Sequence, residues 1–342
     1  MIEDTLLISC PGADGGLFII NTDSTFIRIS SRATTGLFVD NNELIFAYQT
    51  DDGKSIRVVN NHKIKDEIIL SDKRLDLHDV LVSNEKLYVV ATDLNSVICL
   101  DKLFKETSSW SLPGENDSAH INSVAVYDGR LLASVFGRFT KHREYKNGTI
   151  GLGEIVDIQS GETYISGLSQ PHSLTPINDL LYVCSSEEKE LRIYRKRELI
   201  KKILLPGYAR GVAISGDNIY VGISISRNAE YIDGRLKSAA VAVIDSKTKQ
   251  LKNSFNLPCM EIYDIRVVTE SNNVLQQLLI HSLAERDAEI GKLNQVLAER
   301  DAEIGKLNQV LTERDAQISA IYSSTSWRIT KPIRAAKRLL VS

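Results

Sequence analysis

The chain has 342 residues and lacks most of the features that mark membrane, nucleic-acid and zinc proteins. No segment approaches the roughly 20 consecutive apolar residues of a membrane span. Its start, MIEDTLLISCPGADGG, carries neither a basic cluster nor a long apolar run. The expectation is therefore a cytoplasmic protein. Lysine and arginine total 41 against 44 acidic residues, for a net charge of −3 and a pI near 6.1. No whole-protein basic field is present to hold nucleic acid, and none is expected as a partner. Cys10, Cys99, Cys184 and Cys259 are widely spaced with no CxxC pair, which fits buried reduced thiols better than disulfides or a zinc knot. HExxH and GxSxG are missing, and the glycine-rich GTIGLGE and PGADGGLF lack the strand-to-helix setting of a phosphate loop.

A repeat is what the sequence does have. Hydrophobic residues make up 43% of the chain, enough to bury a large core. Five segments begin alike, roughly 40 residues apart: TTGLFVDNNELIFAY from Thr34, LHDVLVSNEKLYVVA from Leu77, INSVAVYDGRLLASV from Ile121, PHSLTPINDLLYVCS from Pro171 and ARGVAISGDNIYVGI from Ala209. Each reads as a β-hairpin with an Asn, Asp, Gly or Ser turn, and two more strand-like runs usually follow. Four strands per repeat make a propeller blade. A sixth segment, EIYDIRVV from Glu261, has no partner strands after it, whereas the N-terminus offers three in TLLISC, GLFIIN and TFIRIS. The pattern predicts an all-β six-bladed β-propeller over residues 1–269, closed by one strand from one end of the chain and three from the other, with no open sheet edge.

Residues 270–322 follow a helical period. LAERDAEIGKLNQV occurs twice, at Leu283 and Leu297. Leu283, Ile290, Leu297, Ile304, Leu311 and Ile318 recur every seven residues, with Leu293, Leu307 and Ile321 three further on, an a/d coiled-coil seam. Arg286, Arg300 and Arg314 take the alternate d positions, which weakens the rod and selects register or oligomer state. Self-association through residues 274–321 is expected, with parallel dimer and trimer both open. Residues 323–342 form a basic amphipathic tail, expected as a short helix, in which Trp327, Ile329, Ile333, Leu339 and Leu340 are interspersed with Arg328, Lys331, Arg334, Lys337 and Arg338. Such a tail suits an anionic membrane surface or a protein partner; a frayed positive end is the plain alternative.

Aligning the six inner strands places Thr35, His78, Asn122, His172, Arg210 and Tyr263 in one register. Two residues earlier stand Ala33, Asp76, His120, Gln170, Tyr208 and Glu261, and one residue later Gly36, Asp79, Ser123, Ser173, Gly211 and Asp264. Inner strands surround the channel, so these side chains converge at one mouth although they are far apart in sequence. Imidazoles and carboxylates suit a divalent metal, and His78, His120 and His172 are the candidate ligands. Without metal, His78, His172 and Asp79 are candidates for acid/base catalysis. Arg210 is a candidate anion clamp. His120, Asn122, Ser173, Glu261, Tyr263 and Asp264 complete the expected binding set. The plain alternative is a wet channel mouth whose polar groups satisfy one another. Two insertions, Gly137–Glu154 and Ser226–Ala239, are expected to overhang this mouth with Arg138, Lys141, His142, Arg143, Tyr145, Lys146, Arg227, Tyr231 and Arg235.

LHDV, QPHSL, LPGYARGVAISGDNIYVGISISR and LPCMEIYDIRVV occur in order, and with them the first 270 residues resemble a bacterial family of conserved hypothetical β-propellers. This chain departs from that pattern in its short HINSVAV and in having no Trp in the PHS blade. The architecture is more distantly similar to strictosidine-synthase-like and NHL propellers, a resemblance that implies a channel metal in some members. The ERDAEI heptads leading into STSWRITKPIR resemble the segment that joins or ends many glycosyltransferases of bacterial surface-polysaccharide clusters. That resemblance implies work beside O-antigen, capsule or related glycan assembly, with glycosyltransferases or the inner-membrane surface as partners of the tail. Two functions follow as expectations: a module that binds and modifies a sugar-containing or anionic ligand, or a non-enzymatic oligomeric scaffold. A metal-dependent lyase or hydrolase is a third.

Overall fold

The computed structural model describes residues 4–21, 25–40, 42–60, 63–69, 71–225, 238–268 and 273–334. They form six four-stranded antiparallel sheets arranged as the blades of a propeller. The inner strands of blades 1 to 6 are Thr34–Val39, Leu77–Ser83, Ser123–Tyr127, Pro171–Ile177, Tyr208–Ser215 and Asp264–Val268. Each packs beside the next, and the sixth packs beside the first. Blade 6 closes the ring as the sequence predicts: Asp264–Val268 pairs with Thr5–Cys10, to which Gly16–Ile20 and then Phe26–Ser30 are added.

The hydrophobic pattern explains the layering. Middle strands are apolar on both faces because each is covered by a neighbouring blade; Ser96–Leu100 and Asn218–Ser224 are buried along their whole lengths. Outer strands such as Glu106–Ser111 and Leu251–Asn256 are largely exposed and polar. Turn chemistry agrees: in blade 3, Asp128 and Gly129 both have positive φ, as a two-residue type I′ hairpin between Tyr127 and Arg130 requires. Side chains then stitch blade to blade. Thr35, Thr92, Ser186 and Ser224 each donate a hydroxyl to a carbonyl that opens the next blade, those of Leu77, Ile121, Ala209 and Ile262, over 2.6–3.1 Å.

One helix, Asn273–Ser323, follows the propeller. Its first turns belong to the propeller unit, Met1–Ile280, where Val274, Leu275 and Leu278 are buried with Leu17, Leu44 and Phe46. The start of the helix thus packs as part of that unit. In the second unit, His281–Ser342, the six a-position residues from Leu283 to Ile318 are between 49% and 60% exposed on the single chain. Ser324 caps a short helix, Thr325–Ile329, by accepting from the Trp327 N–H, and the Arg334 guanidinium lies 3.6 Å over the Trp327 ring. The tail's Lys337, Arg338, Leu339 and Leu340 lie outside the described residues. Among the described residues no helix is long and apolar enough to cross a membrane.

Candidate site at the channel mouth

The strand starts do converge, but at two depths. Thr35, His78, His120, His172, Arg210, Glu261 and Tyr263 line a cavity of about 250 Å³. Asp79, Asn122, Ser173 and Asp264 border a separate void of about 10 Å³, which His172 and Tyr263 also touch. The Tyr263 hydroxyl donates to the Asn122 carbonyl over 2.9 Å. Bulges explain how consecutive residues both reach the channel. The inner strands of blades 1, 2, 4 and 5 lose register at Thr35–Gly36, His78–Asp79, Ser173 and Gly211, which turns neighbouring side chains to one side.

The imidazoles are held alike. His78 Nδ1 is 2.9 Å from the carbonyl of Asp76, and His172 Nδ1 is 2.9 Å from that of Gln170. Asp76 and Gln170 have positive φ, which turns each carbonyl back toward the ring two residues later. A carbonyl only accepts, so Nδ1 carries the proton and Nε2 the lone pair. His172 Nδ1 is also 2.8 Å from the Ser186 hydroxyl. His120 Nδ1 meets the buried carboxylate of Asp117 at 2.6 Å. Among the described residues no Nε2 of these three has a protein hydrogen bond. Burial, partly countered by the Asp76 carboxylate, pushes His78 down to about 4. Burial, then the charge of Arg210, holds His172 well below the ordinary imidazole value. Both rings are neutral bases at pH 7.

The metal set expected from His78, His120 and His172 is not assembled. His78 and His120 meet edge to face at 5.3 Å, but the Phe136 ring sits 4.4 Å from His120 and 5.3 Å from His172. Among the described residues no group of three or more His, Cys, Asp or Glu side chains is placed to hold a metal ion. These three donors do not fit such an ion.

Arg210 lies in the cavity wall, its guanidinium 4.3 Å over the Tyr263 ring and 3.4 Å from the Glu261 carboxylate. Among the described residues its buried Nε has no hydrogen-bond partner. The Gly137–Glu154 insertion does reach the cavity, through Arg143, Tyr145 and Lys146. Arg138 instead pairs with Glu154 at 3.0 Å, and His142 turns to the Asn116 carbonyl at 2.7 Å. Asp117 organises this side: it accepts from His120, from Arg143 at 2.5 Å and from the Tyr145 hydroxyl at 3.1 Å. Burial alone would raise its carboxyl, but the hydrogen bonds and charges of His120 and Arg143 prevail and hold it at about 2. Of the second insertion, residues 226–237, with Arg227, Tyr231 and Arg235, lie outside the described residues.

Asp79 does not join His78 in the cavity. Its carboxylate accepts the N–H groups of Val80 and Val124, both at 2.9 Å, so it ties blade 2 to blade 3. Ser173 ties blade 4 to Gly211 of blade 5 over 2.7 Å, and Asp264 reaches Leu37 of blade 1 at 3.4 Å. These residues occupy one register position in alternate blades and act as inter-blade staples. Burial and the neighbouring Asp264 charge push Asp79 up to about 7; Asp264, also raised by burial, is paired with Arg266 at 2.7 Å. The sequence alignment found the register but not the depth, and it missed Asp117 and Phe136. The Asp-x-x-His spacing of Asp117 and His120 was the available clue to the first.

Residues 20–275 match the family described as "Domain of unknown function (DUF4915)". The chain belongs to that family. No curated protein matches this DUF4915 member. Among solved structures, a chain of a nidogen/laminin complex is similar with a TM-score of 0.55 at 12% identity, over 78% of this chain and 98% of that one. A luciferin-regenerating enzyme gives 0.49 at 13%, over 68% and 78%, and the calcium-binding protein regucalcin from Agrobacterium tumefaciens 0.47 at 12%, over 68% and 77%. At 12% identity the likeness to the nidogen/laminin chain is one of fold.

Proposed function

We propose that the channel mouth of this DUF4915 propeller binds a small hydroxyl-bearing anion, a sugar acid or sugar phosphate or the terminal unit of a glycan carrying one, and that His120, oriented by Asp117, is its acid/base group. The observation that carries this is the shared arrangement of His78, His120 and His172: each Nδ1 is engaged by the protein, while among the described residues no Nε2 has a protein partner, in a cavity that also holds Arg210. Neutral imidazoles at His78 and His172 accept hydrogen bonds from ligand hydroxyls. Arg210, with Lys146 and Arg143 on the rim, supplies positive charge for a carboxylate or phosphate. Tyr208, Tyr145 and Phe136 offer the flat apolar walls that sugar rings pack against. A carboxylate-oriented histidine whose other nitrogen is open is the arrangement that moves a proton to or from a bound hydroxyl.

The resemblance of the tail motif STSWRITKPIR to a segment of surface-polysaccharide glycosyltransferases supports a role beside such assembly, with glycosyltransferases or the inner face of a membrane as the proposed partner of the tail. The exposed heptad seam supports self-association of the helix and favours a second reading, an oligomeric scaffold for such enzymes without chemistry of its own.

Calorimetry of the full chain with glucuronate, gluconate and glucose 6-phosphate, against neutral glucose, tests the first reading. An acid is expected to bind in the millimolar range or tighter, and Arg210→Gln to weaken it roughly 10- to 100-fold, as loss of a charge-assisted hydrogen bond does. Absence of binding by all three acids, or an unchanged affinity in Arg210→Gln, would remove the anion site. If an acid binds and is not turned over, the scaffold reading gains; turnover that Asp117→Asn leaves unaltered would reject the acid/base role of His120.

A further inference from the structure

Cys10 and Cys259 are 249 residues apart in sequence, yet their Sγ atoms lie 3.3 Å apart. Cys10 ends the strand Thr5–Cys10. Cys259 lies in the link from the outer strand of blade 5, Leu251–Asn256, to the inner strand of blade 6. Both side chains are buried in one apolar cluster with Leu6, Ile8, Ile262 and Ile265.

Their position is the seam of the ring. Blade 6 is the one blade made from the two ends of the propeller sequence, and only hydrogen bonds and packing join its halves. Next to the cysteines, the Ser9 carbonyl accepts the Tyr263 N–H at 2.8 Å, and the Ser9 hydroxyl accepts the Asp264 N–H at 3.1 Å. Pro11, which follows Cys10, and Glu261, two residues after Cys259, line the cavity. A covalent bond between the two sulfurs would therefore fix both the seam and a stretch of cavity wall.

We propose that Cys10 and Cys259 form an oxidisable thiol pair, which a small-molecule disulfide converts into a protein disulfide that locks the propeller closed. In the exchange, one cysteine thiolate attacks a sulfur of the reagent, forming a mixed disulfide and expelling one reagent thiolate. The other cysteine then attacks the protein sulfur of that mixed disulfide and expels the second. The two protons of the cysteines end on the two reagent thiols, and the reagent takes up the two electrons. The sulfurs need to approach by about 1.3 Å to reach a bond of about 2.05 Å, a movement within the range of side-chain rotation. Burial above all, with the neighbouring Cys259, holds the Cys10 thiol well above its ordinary value, so the exchange is slow and alkaline pH speeds it. The inference rests on no assumption about the ligand of the channel mouth.

The test uses the full chain, purified under reductant and then incubated with oxidised glutathione at alkaline pH. Alkylation under denaturing conditions and tryptic mapping without reduction follow. The expected product links the peptide Met1–Arg28 to the peptide Asn253–Arg266, with Cys99 and Cys184 alkylated. Closing so long a loop should raise Tm by about 5 °C or more, reversibly on reduction. Cys10→Ser should show neither the link nor the rise, whereas Cys99→Ser/Cys184→Ser should show both. Where a variant does not fold, the wild-type map decides. Four alkylated cysteines, or glutathione adducts without the linked peptides, would overturn the pair, and a link without a rise in Tm would overturn the lock.

Discussion

The hydroxyl of Tyr263 donates to the backbone carbonyl of Asn122 over 2.9 Å, joining blade 6 to blade 3 directly across the channel. The same ring lies under the Arg210 guanidinium and meets His78 edge to face at 5.7 Å. One side chain thus supports the cation of the cavity and separates it from the carboxylates beneath. Tyr263→Phe keeps the ring and its stacking contacts and removes the hydroxyl with its cross-channel bond, leaving a buried carbonyl without this donor. The expected cost is about 1–2 kcal/mol in urea denaturation, with the fold retained. A variant as stable as the wild type would show that the bond holds nothing.

The propeller could be read from the sequence because its signal is periodic. Hairpin, turn and strand recur in each blade, so an error in one segment is corrected by the next, and the leftover strands at the two ends state the closure. The register of the strand starts was legible for the same reason. Depth was not. His78 and Asp79 are neighbours in the chain, and only the bulge between Leu77 and Val80 decides that one faces the cavity while the other staples blades 2 and 3. Asp117 and Phe136 were hidden because they lie off the repeating register, on a turn before blade 3 and just beyond its second strand, and their roles come from contacts with His120 that no period encodes.

Asp79 gives a prediction with a definite sign. Burial, then the charge of Asp264, raises its carboxyl from an ordinary 3.8 to about 7. Between these values the folded chain holds a proton that the unfolded chain has released. The associated stabilisation is fully present below the unfolded value and is lost as pH rises through 7. Asp79→Asn cannot ionise and escapes that loss. Relative to wild type it should therefore gain stability between about pH 5 and pH 8.5, by roughly 2–4 kcal/mol on a shift of this size. Urea denaturation at both pH values measures the difference, and a pH-independent offset between the two proteins would reject the assignment.

His78 and His172 act in the opposite direction. Both are depressed below the ordinary 6.5, His78 to about 4, so on acidification the unfolded chain takes up protons first. Their contribution is present above about pH 6.5 and is lost as pH falls from there toward 4. His78→Gln/His172→Gln removes both titrations, and its stability should decline less steeply than wild type over that interval, by about 2–5 kcal/mol at pH 4.5. Parallel acid limbs in the two proteins would mean that the folded chain accommodates charged imidazoles at the channel mouth.

The helix offers a test of what covers its seam. Apolar residues at Leu297 and Ile304 are exposed on the single chain, and between them Arg300 occupies a d position, paired with Glu303 of its own helix at 2.8 Å. In a solitary helix Arg300 is a solvated surface residue, and Arg300→Leu changes little beyond solubility. In a coiled coil Arg300 is a charged layer at the interface, and the substitution replaces it with a packed apolar layer. Self-association therefore predicts that Arg300→Leu raises the melting temperature of the helical signal at 222 nm in the full chain. It also predicts that Ile304→Lys lowers that temperature and drives the mass measured by light scattering toward the monomer. If both variants match the wild type in mass and melting, the seam has no partner, and the alternation of Leu and Ile along it serves some other contact.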